Sequence, residues 1–472
     1  MKSMLKALSA AALTGAMVIP ALAGDDQKDL KKVIEDQGIN YVETAQKGIT
    51  LSGYVDTSYT EQFGGRGQYA PGTPFATNPG GGPANVHANL RQFDTSNNTF
   101  NINAVKIALE KALPDKNDWA AGFRIDTIYG EDAKYLGDTA INGLDGNTSG
   151  LALEQAYVKF RVPVGNGLDI YAGKFVTFLG YEVIESPANL NFSRGLLFTN
   201  AIPLTHTGVY ADYKFNDTVE AKFGIVDGWN NSTSSSVNSL SGTANESSFG
   251  KAITGQLTIN APGKNANITQ SFIYSPDGEP GVVGQNNGNL VVYDIWGNWT
   301  PAFAHNSDAK GGVADPLLLG FNIDLGYNDA AGSPGGFSVP SGNNAPDGSR
   351  ASNDTNTWWG IALYSQYKFS KVFSLAGRAE YLHSDAALFP KFGPSGTDDG
   401  FAGGRLSPTP DQGEFSYTLT ASFNIWDNLL TRIEYRVDDI SGATNGAAND
   451  FRFVSGKDSV QQEVSLEAVY SF

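Results

Sequence analysis

Strict alternation of apolar and polar residues runs through most of this chain and is clearest in its last fourteen residues. Val464, Leu466, Ala468, Tyr470 and Phe472 share one parity; Gln461, Glu463, Ser465, Glu467 and Ser471 share the other. Successive side chains of a strand point to opposite faces, so a period of two predicts a strand with one apolar and one polar face. The same pattern predicts strands near 49–61, 99–112, 118–129, 151–162, 167–175, 206–215, 218–229, 251–260, 266–275, 289–299, 317–328, 357–369, 371–383, 414–425, 429–439 and 459–472. These are sixteen segments of about ten residues, the length of a tilted strand that crosses a bilayer.

The gaps between the strands alternate in length. Short ones (113–117, 163–166, 216–217, 261–265, 370 and 426–428) are separated by long ones at 62–98, 130–150, 176–205, 230–250, 276–288, 329–356, 384–413 and 440–458. Only the gap near 300–316 is longer than a tight turn should be. The long gaps are dense in Gly, Asn, Ser and Pro, which form turns and loops. Tight turns at one end and long loops at the other, over an even number of strands, describe a bacterial outer-membrane barrel. Closure also removes the exposed edges that would make so large an open sheet aggregate. The expected fold class is all-β: a transmembrane antiparallel β-barrel of about sixteen strands over 49–472, with short periplasmic turns and long external loops. Its last strand pairs with 49–61, where Ile49, Leu51, Val55 and Tyr59 offer the matching apolar stripe. In barrels of this kind the terminal aromatics, here Tyr470 and Phe472, carry the signal read by the barrel assembly machinery.

Charge decides which face looks inward. In 429–439, Arg432, Glu434, Arg436 and Asp438 oppose Thr431, Ile433, Tyr435 and Val437. One arginine on the lipid face near the midplane costs about 2–4 kcal/mol, so the charged face must line the lumen. The same logic turns Arg124 and Asp126, Lys159 and Arg161, Glu220 and Lys222, Asn322 and Asp324, and Arg378 and Glu380 inward. These charges are the candidate pore wall, unless they only neutralise one another across neighbouring strands. A sixteen-strand ring is too wide for side chains to fill and leaves a water channel. Trp119, Trp229, Trp299, Trp358, Trp426, Tyr327 and Tyr470 lie near strand ends, where aromatic girdles meet the membrane interfaces.

The start of the chain supports the same compartment. Lys2 and Lys6 precede an apolar stretch, Ala7 to Ile19, and Ala21-Leu22-Ala23 is a cleavage site of the A-x-A kind, so 1–23 reads as a signal peptide. Residues 24–48 are charged, with helical spacing at Leu30, Val33, Ile34 and Gln37, and read as a periplasmic helix or tether, or as a plug. The chain has no cysteine, hence no disulfide framework. Its net charge of −17, or −19 once Lys2 and Lys6 leave with the leader, argues against nucleic acid as a partner.

The third long gap, 176–205, is too apolar for a loop in water: Phe178, Leu179, Tyr181, Val183, Ile184, Leu196, Leu197 and Phe198 all fall in it. It should fold into the barrel and pack on the wall. Glu182, Glu185 and Arg194 would then project into the lumen as constriction charges, as the third loop does in general porins. Gly173-Lys174-Phe175, Gly180-Tyr181-Glu182, Pro187, Asn189, Asn191-Phe192-Ser193-Arg194 and Ile202-Pro203-Leu204-Thr205-His206-Thr207-Gly208, with the preceding Leu153 to Val158, resemble the putative beta-barrel porin-2 (OmpL-like) family. The resemblance implies an outer-membrane barrel of porin function and brings no catalytic or ligand residues.

Other chemistry finds little footing. The histidines, His87, His206, His305 and His383, lack ligand spacing, so no metal site or cofactor is expected. Ser193 and His206 could meet as part of a hydrolytic triad, but loop packing explains both more simply. Acidic loop patches such as Asp145 and Asp398-Asp399 form no complete calcium motif. The reading is a non-enzymatic diffusion channel for small hydrophilic solutes or ions. A substrate-selective porin, for example for oligosaccharides, would need a line of inward aromatics, for which Tyr54, Tyr157, Tyr210, Tyr364 and Trp296 are candidates. A plugged structural or adhesive barrel is the third reading. Outer-membrane lipid and lipopolysaccharide are the expected surroundings, and a homotrimer is expected by analogy with other sixteen-stranded porins.

Overall fold

A computed structural model describes residues 48–63, 93, 98–114, 116–136, 150–228, 251–276, 289–306, 313–328, 356–384, 412–441 and 460–472. The leader, the 24–48 segment up to residue 47, and most of the external loops, with Asp145, Trp229 and Asp398-Asp399, lie outside them.

The alternating segments form sixteen strands: β1 (Ile49–Phe63), β2 (Thr99–Lys111), β3 (Ala120–Tyr129), β4 (Leu151–Val162), β5 (Leu168–Val176), β6 (Thr205–Lys214), β7 (Val219–Val226), β8 (Ala252–Asn260), β9 (Ala266–Ser275), β10 (Leu290–Trp299), β11 (Leu317–Asn328), β12 (Asn356–Lys368), β13 (Phe373–Ser384), β14 (Gln412–Trp426), β15 (Leu429–Ser441) and β16 (Val460–Ser471). Each pairs with its sequence neighbours, and β1 pairs with β16, so the sheet is a closed antiparallel barrel. No described helix is long and apolar enough to cross a membrane. The long gap after β10 contains a 3-10 turn at Ala302–Ala304.

The seam joins β1 to β16. Val55 faces Tyr470 and Tyr59 faces Leu466 in register. Phe472 donates its N–H to Gly53 O at 2.9 Å and accepts from Gly53 N at 3.0 Å. A side chain at Gly53 would lie 2.8 Å from the Phe472 ring, so glycine lets the final aromatic lie flat across the first strand.

Lipid-facing and lumen-facing residues separate as the charge argument requires. Leu51, Ile125, Phe223, Ile225, Leu325, Ile433 and Leu466 are exposed on the outside. Arg124, Asp126, Arg378, Glu380, Arg432, Glu434, Arg436 and Asp438 are buried inside. Trp119, Trp299, Trp426, Tyr327 and Tyr470 are exposed, as a girdle needs. Trp358 corrects the expectation: it is 2% exposed and points into the barrel, while its neighbour Trp359 takes the outer position. Both residues are apolar, so alternation alone could not set their parity.

Two of the three register shifts among the described strands also alter the simple pattern on the lumen side. The β1–β2 register slips between Asp56 and Thr57, and the β3–β4 register slips between Asp126 and Thr127. Each gives one strand an extra residue. The extra residues, Asn103 in β2 and Glu154 in β4, are thereby buried on the lumen side next to Ala104 and Gln155.

The apolar core lies inside the ring, around residues 177–204. Phe178, Leu179, Ile184, Leu196, Leu197, Phe198, Ile202 and Leu204 pack with Phe175, Ile128, Val226, Trp358 and Leu382 of the wall. A short helix, α1 (Leu196–Asn200), is buried along its whole length.

Candidate functional site

The segment between β5 and β6 crosses the barrel and is bonded to the wall on many sides. Near its start, Phe178 O accepts hydrogen bonds from Gln256 of β8 at 2.7 Å and Ser271 of β9 at 2.8 Å. Tyr181 donates its N–H to Asn322 at 3.0 Å and its hydroxyl to Asn298 at 2.8 Å. Its ring stacks on Tyr364 at 4.1 Å and meets Trp296 edge-on at 5.9 Å.

The central stretch is fixed by charge. Glu182 accepts from Arg378 Nη1 at 2.6 Å and from Gly195 N at 2.5 Å. Arg378 also donates to Ser193 O at 2.6 Å and holds Glu380 at 2.9 Å. Glu434 accepts the backbone N–H groups of Phe192 at 2.7 Å and Ser193 at 3.0 Å. Arg432 donates to Ser186 O at 2.7 Å and pairs with Glu467 at 2.9 Å, which in turn accepts from Ser186 Oγ at 2.5 Å. Arg436 donates to Arg194 O at 2.7 Å and pairs with Asp438 at 2.8 Å. Charge-assisted bonds to buried backbone are among the stronger hydrogen bonds in proteins, and here they come from strands far from the loop in sequence.

Glu185 and Arg194 close the circuit on the other side. Glu185 meets Lys106 of β2 at 2.5 Å; the same ammonium lies 3.0 Å from Glu154 and 3.1 Å from Asp126. Withdrawal from bulk water pushes the Glu185 carboxyl up, but Lys106 outweighs this and holds it at about 2. Arg194 pairs with Asp132 at 2.9 Å, donates to Ile184 O, and lies 4.8 Å over the Phe93 ring. Asp132 and Phe93 belong to the second and first external loops, and both residues pack onto the third. The expectation that Glu182, Glu185 and Arg194 project into open lumen thus meets a different geometry. Their side chains are 3%, 17% and 1% exposed and tied to Arg378, Lys106 and Asp132.

The remaining wall charges pair as well. Arg124 lies 2.8 Å from Asp126 and 3.3 Å from Glu110; Lys159 lies 2.5 Å from Glu110; Arg161 lies 2.6 Å from Asp169; Lys222 lies 3.6 Å from Glu220. The two halves of the wall differ in access to water. Glu220, Lys222 and Glu110, toward the short-turn end, have side chains 32%, 24% and 24% exposed, whereas Arg378, Arg432 and Arg436 are almost completely covered.

The aromatic candidates fall into separate groups. Tyr157, Tyr171 and Tyr210, on successive strands, form a row with Phe175 and Phe178. Tyr171 and Tyr210 lie face to face at 4.3 Å and 4°, so they cover the surfaces a sugar ring would use. Tyr364 and Trp296 belong to the Tyr181 group, and Tyr54 is buried in β1. Ser193 and His206 have different partners: Ser193 Oγ accepts from Arg378 at 3.0 Å and His206 bonds to Thr177 at 3.0 Å.

Sequence reasoning missed Lys106, Glu154 and Asp132. Lys106 was signalled by its parity with Ala104, Ala108 and Glu110. Glu154 has the wrong parity and reaches the lumen only through the bulge. Asp132 lies in a loop, where alternation gives no guidance.

The barrel resembles solved outer-membrane channels. The channel DcaP of Acinetobacter baumannii aligns with a TM-score of 0.50 at 12% identity, over 92% of this chain and 100% of that one. OprB of Pseudomonas putida aligns with a TM-score of 0.51 at 12% identity, over 95% and 97%. An anion-selective porin from Comamonas acidovorans gives 0.48 at 10% identity, over 90% and 99%. At these identities the likeness concerns the fold. No curated protein matches the chain by sequence. Residues 48–472 match the family described as Putative beta-barrel porin-2, OmpL-like. The chain therefore belongs to that family, and it is a porin of the bacterial outer membrane.

Proposed function

We propose that this porin is a passive diffusion channel for small hydrophilic solutes or ions, narrowed by residues 176–205. The observation that carries the reading is the loop itself, bonded to the inner wall from β8 to β16 within a ring whose inner face is polar. In this reading Glu182, Glu185 and Arg194 hold the loop at the narrow level. Solutes run past Glu110, Arg161, Glu220 and Lys222, the wall charges that water reaches. Planar-bilayer recording of the folded protein tests it: stepwise conductance is expected, and a correctly folded sample without steps would make this a barrel closed by its own loop.

Assembly forms part of the proposal. The leader is cleaved after Ala23, residues 24–48 remain on the periplasmic side, and the assembly machinery reads Tyr470 and Phe472. The mature barrel sits in lipid and lipopolysaccharide as a homotrimer. Mass spectrometry of the protein from outer membranes checks the cleavage site, and native mass spectrometry checks the stoichiometry.

A further inference from the structure

Two clusters of acids lie where the inward loop meets the wall, and the chain treats them differently. In the first, Asp126, Glu154 and Glu185 bring carboxylate oxygens within 4.8 Å of one another. Lys106 Nζ stands among them at 3.1, 3.0 and 2.5 Å and supplies the counter-charge. In the second, Asp294 of β10 faces Asp324 of β11 directly in register. Both are 0% exposed, on the lumen side, and their carboxyl groups meet. Like charges directly opposite one another destabilise a strand pair, and buried charges require compensation.

The chain provides little compensation there. Asn322 Nδ2 donates to Asp294 Oδ2 at 2.6 Å, and the backbone N–H of Gly180 also reaches Asp294. Apart from their contact with each other, Asp294 Oδ1 and both oxygens of Asp324 have no hydrogen-bond partner among the described residues. Arg378 of β13 is engaged by Glu182 and Glu380. Between Asp324 and β13, strand β12 places Gly360 beside Asp324, with Leu197 of the loop above that glycine.

We propose that Asp294 and Asp324 bind a hard divalent cation. The ion does for this pair what Lys106 does for the first cluster. Calcium and magnesium are bound by oxygen ligands, and carboxylates with free oxygens are their preferred protein groups. Asn322 connects the site to the loop: it bonds Asp294 on one side and the Tyr181 N–H on the other. An ion here therefore ties the Gly180–Tyr181 turn to the wall. The proposal does not depend on whether the barrel conducts.

The test uses the folded protein in lipopolysaccharide-free detergent, stripped with a chelator and titrated with Ca²⁺ and separately with Mg²⁺. Melting midpoint and tryptophan emission are read together, because Trp296 is two residues from Asp294 on the same face. A saturable rise in midpoint is expected, with affinity at least ten-fold weaker in Asp294→Asn and in Asp324→Asn, and unchanged in Glu220→Gln. Terbium luminescence sensitised by Trp296 and displaced by Ca²⁺ gives a second reading on the unmodified protein, should a variant fail to fold. An undiminished response in the double Asn variant overturns the proposal, as does a wild-type protein that ignores both cations. In the latter case a raised midpoint in Asp324→Asn would assign the pair a shared proton.

Discussion

Residues 182–195 and 196–204 belong to one inward loop but are held by different forces. The first stretch is fixed by Arg378, Glu434, Arg432 and Lys106, each reaching from a different strand to a chosen atom. The second is held mainly by burial of Leu196, Leu197, Phe198, Ile202 and Leu204, and Trp358 Nε1 donates to Ala201 O at 3.3 Å. Apolar burial is non-directional and worth about 25 cal/mol per Å², so it keeps the loop inside without choosing where. Buried ion pairs add little net stability, because desolvation offsets most of the attraction. Their strength is selectivity: a loop displaced by one residue would leave several charges buried without partners. The difference suggests that the apolar stretch supplies retention and the charged stretch supplies position.

That division can be broken from either side. Arg378→Ala should have the largest effect, about 3–5 kcal/mol against loop docking, because Glu182 and Glu380 remain buried without their base. Single-channel recording should show larger, noisier conductance, and unchanged steps would show that the charged stretch does not position the loop. Gly360→Ala addresses the apolar side. The added methyl would lie 2.7 Å from Leu197 Cδ1, and overpacking of this kind costs about 1–3 kcal/mol. Melting should drop while ion preference holds; an altered reversal potential would mean that the apolar stretch also sets position. The smallest effect concerns acid. Glu185 is held at about 2 against an ordinary 4.5, so its contribution is complete above pH 4.5 and fades as pH falls through 2. Between pH 7 and 5 the Lys106 tie should not weaken, and Glu185→Gln should flatten any loss of stability seen below pH 4.

Much of this architecture is legible in alternation alone. Arg432, Glu434, Arg436 and Asp438 set the inward face of β15, and the neighbouring strands follow because each pleat must match the next. The loop's inward fold is legible for a similar reason, since Phe178, Leu196, Leu197 and Phe198 have no place in water. Its partners are not legible. Glu182 and Arg378 are 196 residues apart, and no local pattern joins them. Glu154 shows a second limit: a single extra residue reverses the parity of everything on one side of it. Trp358 shows a third, because a pair of adjacent tryptophans satisfies either parity.

The seam between Gly53 and Phe472 imposes an order of events. Its bonds, such as Thr60 to Ser465, join residues 405 apart, so the ring cannot shut until β16 is available. Until then β1 and β16 are free edges, open to mispairing. The inward loop bonds to β13, β14, β15, β16 and β2, on both sides of that seam. Strands on the two sides of the seam are thus joined to one segment lying between them. Such a segment would serve, during assembly, as the mandrel around which the sheet is rolled.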